Sequence, residues 1–207
     1  MKRVLFQAFS VLLILPLLFA CHEKQAAEMI DASNPDIEKL IKAYESKDWA
    51  TVVAIGDTLY DEAATSGLAR IYAEALAGSG NPQKAIEILN AKLAQYPDDY
   101  YLLQTRGDVC TAAGELDSAI ASYDKVIALR PTYARPYMYE GEIYELKGDT
   151  QKAISRYLGA ARLFAANHYA AETAEYSMRI LRLDSTNAEA LQMLSSVRKA
   201  KKTLPKE

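Results

Sequence analysis

YYLLQTRGDVCTAAGELDSAIASYDKVIALRPTY, residues 100–133, is followed without a gap by ARPYMYEGEIYELKGDTQKAISRYLGAARLFAAN, residues 134–167. The two segments are equally long, and equivalent positions hold the same residue at Gly107 and Gly141 and again at Tyr123 and Tyr157. The same 34-residue spacing continues toward the N-terminus through further matched positions: Gly80, Ala85, Ile86 and Pro97. A fixed period of about 20 to 50 residues predicts a stack of repeated supersecondary units.

Each repeat is predicted to form two amphipathic α-helices. Apolar residues recur at helical spacing on both sides of Gly114, a residue type that ends helices because it adopts a left-handed conformation at little cost. Pro131 ends the second helix, since proline cannot continue one. Neither helix can bury its apolar face alone, so the pairs must stack on their neighbours. The fold class predicted is therefore all-α, an α-solenoid.

At these positions the sequence resembles the tetratricopeptide repeat family, in which small residues and aromatic residues recur at fixed places. The resemblance is carried by the following residues: Leu103, Gly107, Cys110, Ala119, Tyr123, Pro131, Tyr137, Gly141, Tyr144, Ala153 and Tyr157. It implies a right-handed solenoid of about five antiparallel helix pairs over residues 35–202, with units at approximately 33–65, 66–99, 100–133, 134–167 and 168–202. We expect Gly107 and Gly141 where paired helices cross closely, with the tyrosines beside them. The first and last units match the pattern loosely.

The N-terminus has the features of a secretion signal. Lys2 and Arg3 precede an apolar run that is shorter than a membrane-spanning helix, and polar residues follow it. The segment ending at Cys21 resembles the lipobox of bacterial lipoproteins, which implies cleavage after residue 20 and lipid on the Cys21 side chain. Residues 21–34 would then form a polar tether. The alternatives are an ordinary signal peptide with an incidental Cys21 and an uncleaved anchor.

Composition excludes several classes of activity. The 24 basic and 27 acidic side chains give a net charge of −3, which argues against a nucleic-acid partner. The chain has only two histidines, His22 and His168, and no phosphate-binding loop or catalytic triad pattern. We therefore expect neither an enzyme nor a cofactor, metal or small-molecule substrate.

In the family that this sequence resembles, the first helices of successive repeats line a concave groove that holds peptides or helices. Placing the first helices in register gives these candidate partner-binding residues: Arg70, Glu74, Tyr101, Gln104, Asp108, Arg135, Met138, Glu142, Tyr169 and Glu172, with Thr111, Glu145 and Tyr176 beside them. Carboxylates at 74, 108 and 142 stand 34 positions apart, where chaperone-binding members carry Lys and Asn. The stripe predicts a protein or peptide partner with a basic segment. The alternative is a solvated acidic face.

The expected function is a membrane-anchored protein-interaction scaffold of the bacterial cell envelope. By resemblance to lipoprotein sorting, His22 after the lipidated cysteine favours the outer membrane, with the domain facing the periplasm. Two alternatives are a structural subunit of an outer-membrane assembly machine, of the pilus or β-barrel type, and an adaptor for a periplasmic hydrolase. The last residues, 203–207, continue a basic tail, which is explained by stabilisation of a helix C-terminus.

Overall fold

The computed structural model describes residues 35–61 and 64–203, and within those ranges every regular element is an α-helix. The predicted signal peptide, Cys21 and the tether lie outside the described residues, as do residues 204–207. The described residues divide into two compact units, with the boundary between residues 95 and 96. None of the described helices combines the length and the apolar character that crossing a membrane requires.

Within residues 35–61 and 64–95, the first unit contains four helices, each packed against the next. They are α1 (Pro35–Glu45), α2 (Trp49–Leu59), α3 (Ser66–Gly78) and α4 (Pro82–Gln95). Two of them begin at capping side chains, because Asp48 accepts a hydrogen bond from the Thr51 amide and Thr65 accepts one from the Leu68 amide. Leu40 and Val52 are completely buried in the core that α1, α2 and α3 enclose.

Within residues 96–203, the second unit contains six helices, and again each packs against its successor. They are α5 (Tyr100–Ala112), α6 (Leu116–Leu129), α7 (Ala134–Leu146), α8 (Thr150–Ala166), α9 (Ala170–Leu183) and α10 (Ala188–Thr203). Asp99 caps α5 and Asp149 caps α8. These helices confirm the all-α fold class.

Glycine and tyrosine form the close contacts between paired helices. A Cβ atom added to Gly107 would lie 2.5 Å from the Tyr123 ring, and Gly141 lies equally close against Tyr157. Both rings are buried, with exposed fractions of 1% and 0%. The repeated glycines therefore let α5 approach α6, and α7 approach α8, closely enough for one aromatic ring to fill each crossing, as the sequence predicted.

Two kinds of turn recur between the described helices. In the first kind, a residue with positive φ is followed by one whose amide donates to the carbonyl five residues earlier, as from Glu115 to Cys110 at 2.8 Å. The positive-φ positions of this kind are Lys47, Gly80, Gly114, Gly148 and His168. In the second kind, a four-residue link is closed by a hydrogen bond from its last amide to its first carbonyl. These links span residues 96–99, 130–133 and 184–187.

The last two helices are displaced from the 34-residue frame. α9 begins 36 positions after α7, whereas α7 begins 34 positions after α5. The side chains keep the order of the array, because Arg179 of α9 contacts Glu142 of α7 and Arg162 of α8 contacts Glu189 of α10. α9 therefore lies beside α7, and α10 lies beside α8.

Candidate functional site

Two candidate residues lie in the first unit, on α3. Arg70 and Glu74 are one helical turn apart, and their side chains form a half-buried ion pair at 3.5 Å. The Tyr44 hydroxyl from α1 also donates a hydrogen bond to the Glu74 carboxylate. The Glu74 charge is thus compensated within its own unit.

In the second unit, the candidates on α5 are held by tyrosines. The Tyr133 hydroxyl donates to the Gln104 carbonyl at 2.9 Å, and the Tyr123 hydroxyl donates to the Asp108 carboxylate at 2.6 Å. Gln104 is buried and Asp108 is half-buried. Tyr101 is half-buried too, with its ring centroid 3.9 Å from that of Tyr100. Burial, with the Asp108 charge next in size, raises the pKa of Tyr123, so its hydroxyl stays a donor at physiological pH.

The candidates on α7 meet arginines and further tyrosines. Arg135 donates from Nε to the Tyr139 hydroxyl at 3.0 Å, and Met138 is half-buried against the core. The Glu142 carboxylate accepts a hydrogen bond from Arg179 at 2.8 Å. The structure thus places an arginine from α9 on the acidic stripe.

Arg179 joins two neighbouring carboxylates of α7. Besides Glu142, its guanidinium contacts Glu145 at 3.3 Å, and it lies 4.8 Å from the centre of the Tyr157 ring. The hydrogen bond that Tyr157 donates, and secondly Arg179, hold the pKa of Glu145 below its usual value, outweighing burial. The Arg179 guanidinium and the Tyr157 hydroxyl therefore offset the negative charge of the stripe at this end.

The remaining candidates lie at the beginning of α9. Tyr169 precedes α9 as its N-cap and is 40% exposed, whereas Glu172 lies in the first turn of α9. Tyr176, expected beside them, is a core residue with a 4% exposed fraction.

We use the name α5–α7 surface for the part of the predicted groove that the second unit brings together. It consists of the following candidates: Tyr101, Gln104, Asp108, Arg135, Met138 and Glu142. Tyr133 lies among them, because its hydroxyl donates a hydrogen bond to the side chain of Gln104. Burial raises the pKa of Tyr133, and the nearby Arg135 acts against that rise. Tyr133 and Tyr139 were missed by the sequence analysis, since neither falls on the helical positions that face a regular groove.

A buried polar pair was also missed. Glu140 on α7 is completely buried, and the Arg156 Nε of α8 lies 2.5 Å from its carboxylate without hydrogen-bond geometry. Arg156 also donates to Asp124 on α6 at 2.9 Å. Burial raises the pKa of Glu140 to about 8, and the Asp124 charge adds to that rise, although Arg156 acts against it.

The preceding repeat holds a second polar pair at the equivalent positions. Arg106 donates to the Ser122 hydroxyl at 2.6 Å, and residues 106 and 122 each precede 140 and 156 by 34. Comparing polar residues that stand 34 positions apart in the sequence could have identified both pairs. Within residues 35–61 and 64–203, the structure has no group of three or more His, Cys, Asp or Glu side chains arranged to hold a metal ion.

Comparison with known proteins agrees with this architecture. Residues 107–148 match the family model of the TPR repeat. A TPR repeat-containing protein of Treponema pallidum is 28% identical over 149 residues, which is 66% of this chain but 18% of that protein. The chain thus spans less than a fifth of the curated relative that it matches.

Solved structures of MamA share the fold. The MamA structure from Desulfovibrio magneticus has a TM-score of 0.63 at 16% identity, and covers 86% of this chain and 99% of its own. A further crystal structure of MamA has a TM-score of 0.62 at 16% identity, with 79% and 94% covered.

These likenesses show a helical-repeat fold, and the match at residues 107–148 agrees with the resemblance to the tetratricopeptide repeat that the sequence indicated.

Proposed function

We propose that this protein is a scaffold of the bacterial cell envelope that holds a partner segment on its α5–α7 surface. A lipid on Cys21 would anchor it to the outer membrane, facing the periplasm. The function is recognition without turnover, and the partner segment carries Lys or Arg side chains. The tetratricopeptide fold supports a protein or peptide partner, and the lipobox-like segment before Cys21 supports the anchor.

The observation that carries the proposal is the fixed position of two carboxylates at equivalent places in successive repeats. Tyr123 holds Asp108, and Arg179 holds Glu142. A carboxylate has about four lone-pair directions, so each can accept a partner's donor in addition to its internal one. Because both are already ordered, binding costs less side-chain entropy than it would for mobile acids.

Arg179 sets the charge that a basic partner meets. Its guanidinium already contacts Glu142 and Glu145, so a partner's Lys or Arg must share these carboxylates with it or displace it. We expect the apolar side chains of the partner to contact Tyr101 and Met138.

Neutral isosteres test the binding surface. The double variant Asp108→Asn, Glu142→Gln keeps the shape of both side chains and removes their charges, while Asp98→Asn, Glu175→Gln removes two exposed charges elsewhere. Partners would be captured by crosslinking in cells and identified by mass spectrometry, and their affinities measured with purified protein. We expect the first variant to bind at least tenfold more weakly and the second to match wild type. Equal affinity in both variants would exclude a basic partner on this surface.

Cys21→Ala tests the anchor separately. We expect this variant to move from the membrane fraction to the soluble fraction, because stable anchoring requires acyl chains, while the control Cys110→Ala remains with the membrane. Retention of Cys21→Ala in the membrane fraction would show that the chain is held by something other than a lipidated Cys21.

A further inference from the structure

Helix α9 has a small residue at the place where α7 has an aromatic ring. Thr173 is the fourth residue of α9, and Tyr137 is the fourth residue of α7. The Tyr137 ring packs on α8, where a Cβ atom added to Gly159 would lie 2.8 Å from it. The Thr173 side chain is shorter, and its hydroxyl donates a hydrogen bond to the Tyr169 carbonyl in the preceding turn at 2.6 Å. Thr173 therefore does not reach the space that Tyr137 fills.

The residue of α10 that corresponds to Gly159 is Ser196. Ala153 of α8 and Ala190 of α10 are both completely buried, and each is followed four positions later by another buried residue. The two helices are therefore in register at a spacing of 37 positions, which takes Gly159 to Ser196.

A pocket of about 490 Å³ lies between α8, α9 and α10, and both Thr173 and Ser196 line it. Most of its lining is apolar and comes from all three helices, with Ala165, Ala170 and Val197 among the contributing residues. The pocket thus lies where a tyrosine ring packs on a glycine in the α7–α8 pair. It results from the replacement of that ring by a threonine inside the array.

Glu189 gives the lining of the pocket a negative charge. Arg162 of α8 donates hydrogen bonds to its carboxylate at 2.6 and 2.7 Å. This contact outweighs burial and holds the pKa of Glu189 below its usual value, so the carboxylate is ionised at neutral pH. A carboxylate has about four lone-pair directions, so Glu189 can accept a further donor from a group that enters the pocket.

We propose that this pocket binds a tyrosine or tryptophan side chain of a partner protein, adjacent to a lysine or arginine of that partner. The ring packs between Thr173 and Ser196, in the way that Tyr137 packs on Gly159. Its O–H or N–H group and the adjacent basic side chain donate to Glu189. Such a residue combines a large apolar surface with a polar end, which matches an apolar pocket that has a carboxylate in its lining. The pocket shares no residue with the α5–α7 surface.

The probe is a blocked tripeptide with tryptophan between two lysines. Binding to the full-length chain in mild detergent is followed by NMR of methionine labelled with ¹³C in its methyl group. Met193 lines the pocket and reports its occupancy, whereas Met178 lies outside the lining and is the internal control. We expect the Met193 resonance to shift on titration. Replacing the tryptophan by leucine, or both lysines by glutamates, should weaken binding roughly tenfold.

Variants that fill the pocket test its position. Thr173→Tyr restores the residue type of α7, and Ser196→Trp fills the pocket from its exposed side; each should weaken the lysine–tryptophan peptide roughly tenfold. Ser155→Trp, at an exposed position of α8, is the matched control and should leave binding unchanged. Circular dichroism checks that the variants remain folded, and Ser196→Trp keeps the test decisive if Thr173→Tyr does not fold.

Glu189→Gln tests the charge of the pocket. It should weaken the lysine–tryptophan peptide, whereas Glu175→Gln at an exposed position of α9 should not.

Four results would overturn the proposal. The first is an unshifted Met193 resonance at millimolar peptide, and the second is equal binding of the leucine or the glutamate peptide. The third is unchanged binding to both filled variants. The fourth is a Met193 shift that depends on protein concentration without any peptide, since the occupant would then be a second copy of the chain.

Discussion

Glu140 makes the stability of the fold depend on pH in a direction opposite to that of most carboxylates. Its side chain is completely buried, and burial raises its pKa from 4.5 to about 8. The folded protein therefore keeps a proton that the unfolded chain releases between these two values. Stability from this group is fully present below pH 4.5 and is lost as the pH rises toward 8.

The variant Glu140→Gln removes this dependence, because glutamine has the shape of the protonated side chain and does not titrate. Each pKa unit corresponds to about 1.4 kcal/mol, so retaining the proton costs wild type up to about 3 kcal/mol at pH 7. The cost reaches about 5 kcal/mol at pH 9. We expect Glu140→Gln to resemble wild type near pH 5 and to become increasingly more stable than wild type above it.

Urea unfolding followed by circular dichroism at several pH values from 5 to 9 measures the difference. Glu175→Gln, which removes an exposed carboxylate on α9, is the matched control and should differ from wild type by a small amount that does not grow with pH. A constant difference between Glu140→Gln and wild type would refute the reasoning. It would mean that Arg156 keeps Glu140 ionised in the folded state despite its burial.

Three further outcomes follow from the packing of α5. Gly107→Ala places a Cβ 2.5 Å from the Tyr123 ring. Overpacking should cost about 1 to 3 kcal/mol, which exceeds the gain in helix propensity of about 1 kcal/mol. We therefore expect this variant to unfold at a lower urea midpoint. Tyr123→Phe removes the 2.6 Å hydrogen bond to Asp108 and should cost about 1.5 to 3 kcal/mol in the same assay; no loss would mean that water replaces it fully. Cys110 is completely buried, and burial raises its pKa. A thiol reagent should label Cys110 only at the rate of unfolding, and rapid labelling in native buffer would contradict this.

The sequence predicted the features that depend on local residues and on the period. Gly114 and Gly148 mark turns because a positive φ favours glycine there, and Gly107 and Tyr123 predict a close crossing because their sizes are complementary. These features can be read from residue types alone, so the fold class and the helix pairs from α3 to α8 agree with the structure.

The end of the array could not be predicted in the same way. His168 has a positive φ at a turn where the other second-unit turns of this kind have glycine, so its sequence gives no turn signal. Ser177 is buried as the eighth residue of α9, where α5 and α7 have Gly107 and Gly141. Because α9 begins 36 positions after α7, continuing the 34-residue frame could not identify either position.

The pairing of charges on the α5–α7 surface could not be predicted from the sequence, for another reason. Arg179 reaches Glu142 across 37 positions, through a helix order that depends on the shifted frame of α9. Pairing of this kind is decided by side-chain conformations between helices, so the acidic stripe looked uncompensated in sequence.

The position of α8 has a consequence for how the second unit unfolds. In an array of repeats, stability is nearly a sum over neighbours, so the end of the array can open with the loss of one interface. Helix α8 packs against both α7 and α9, whereas among the described helices α10 packs mainly against α9. We therefore expect the amide hydrogens of α10 to exchange faster than those of α8.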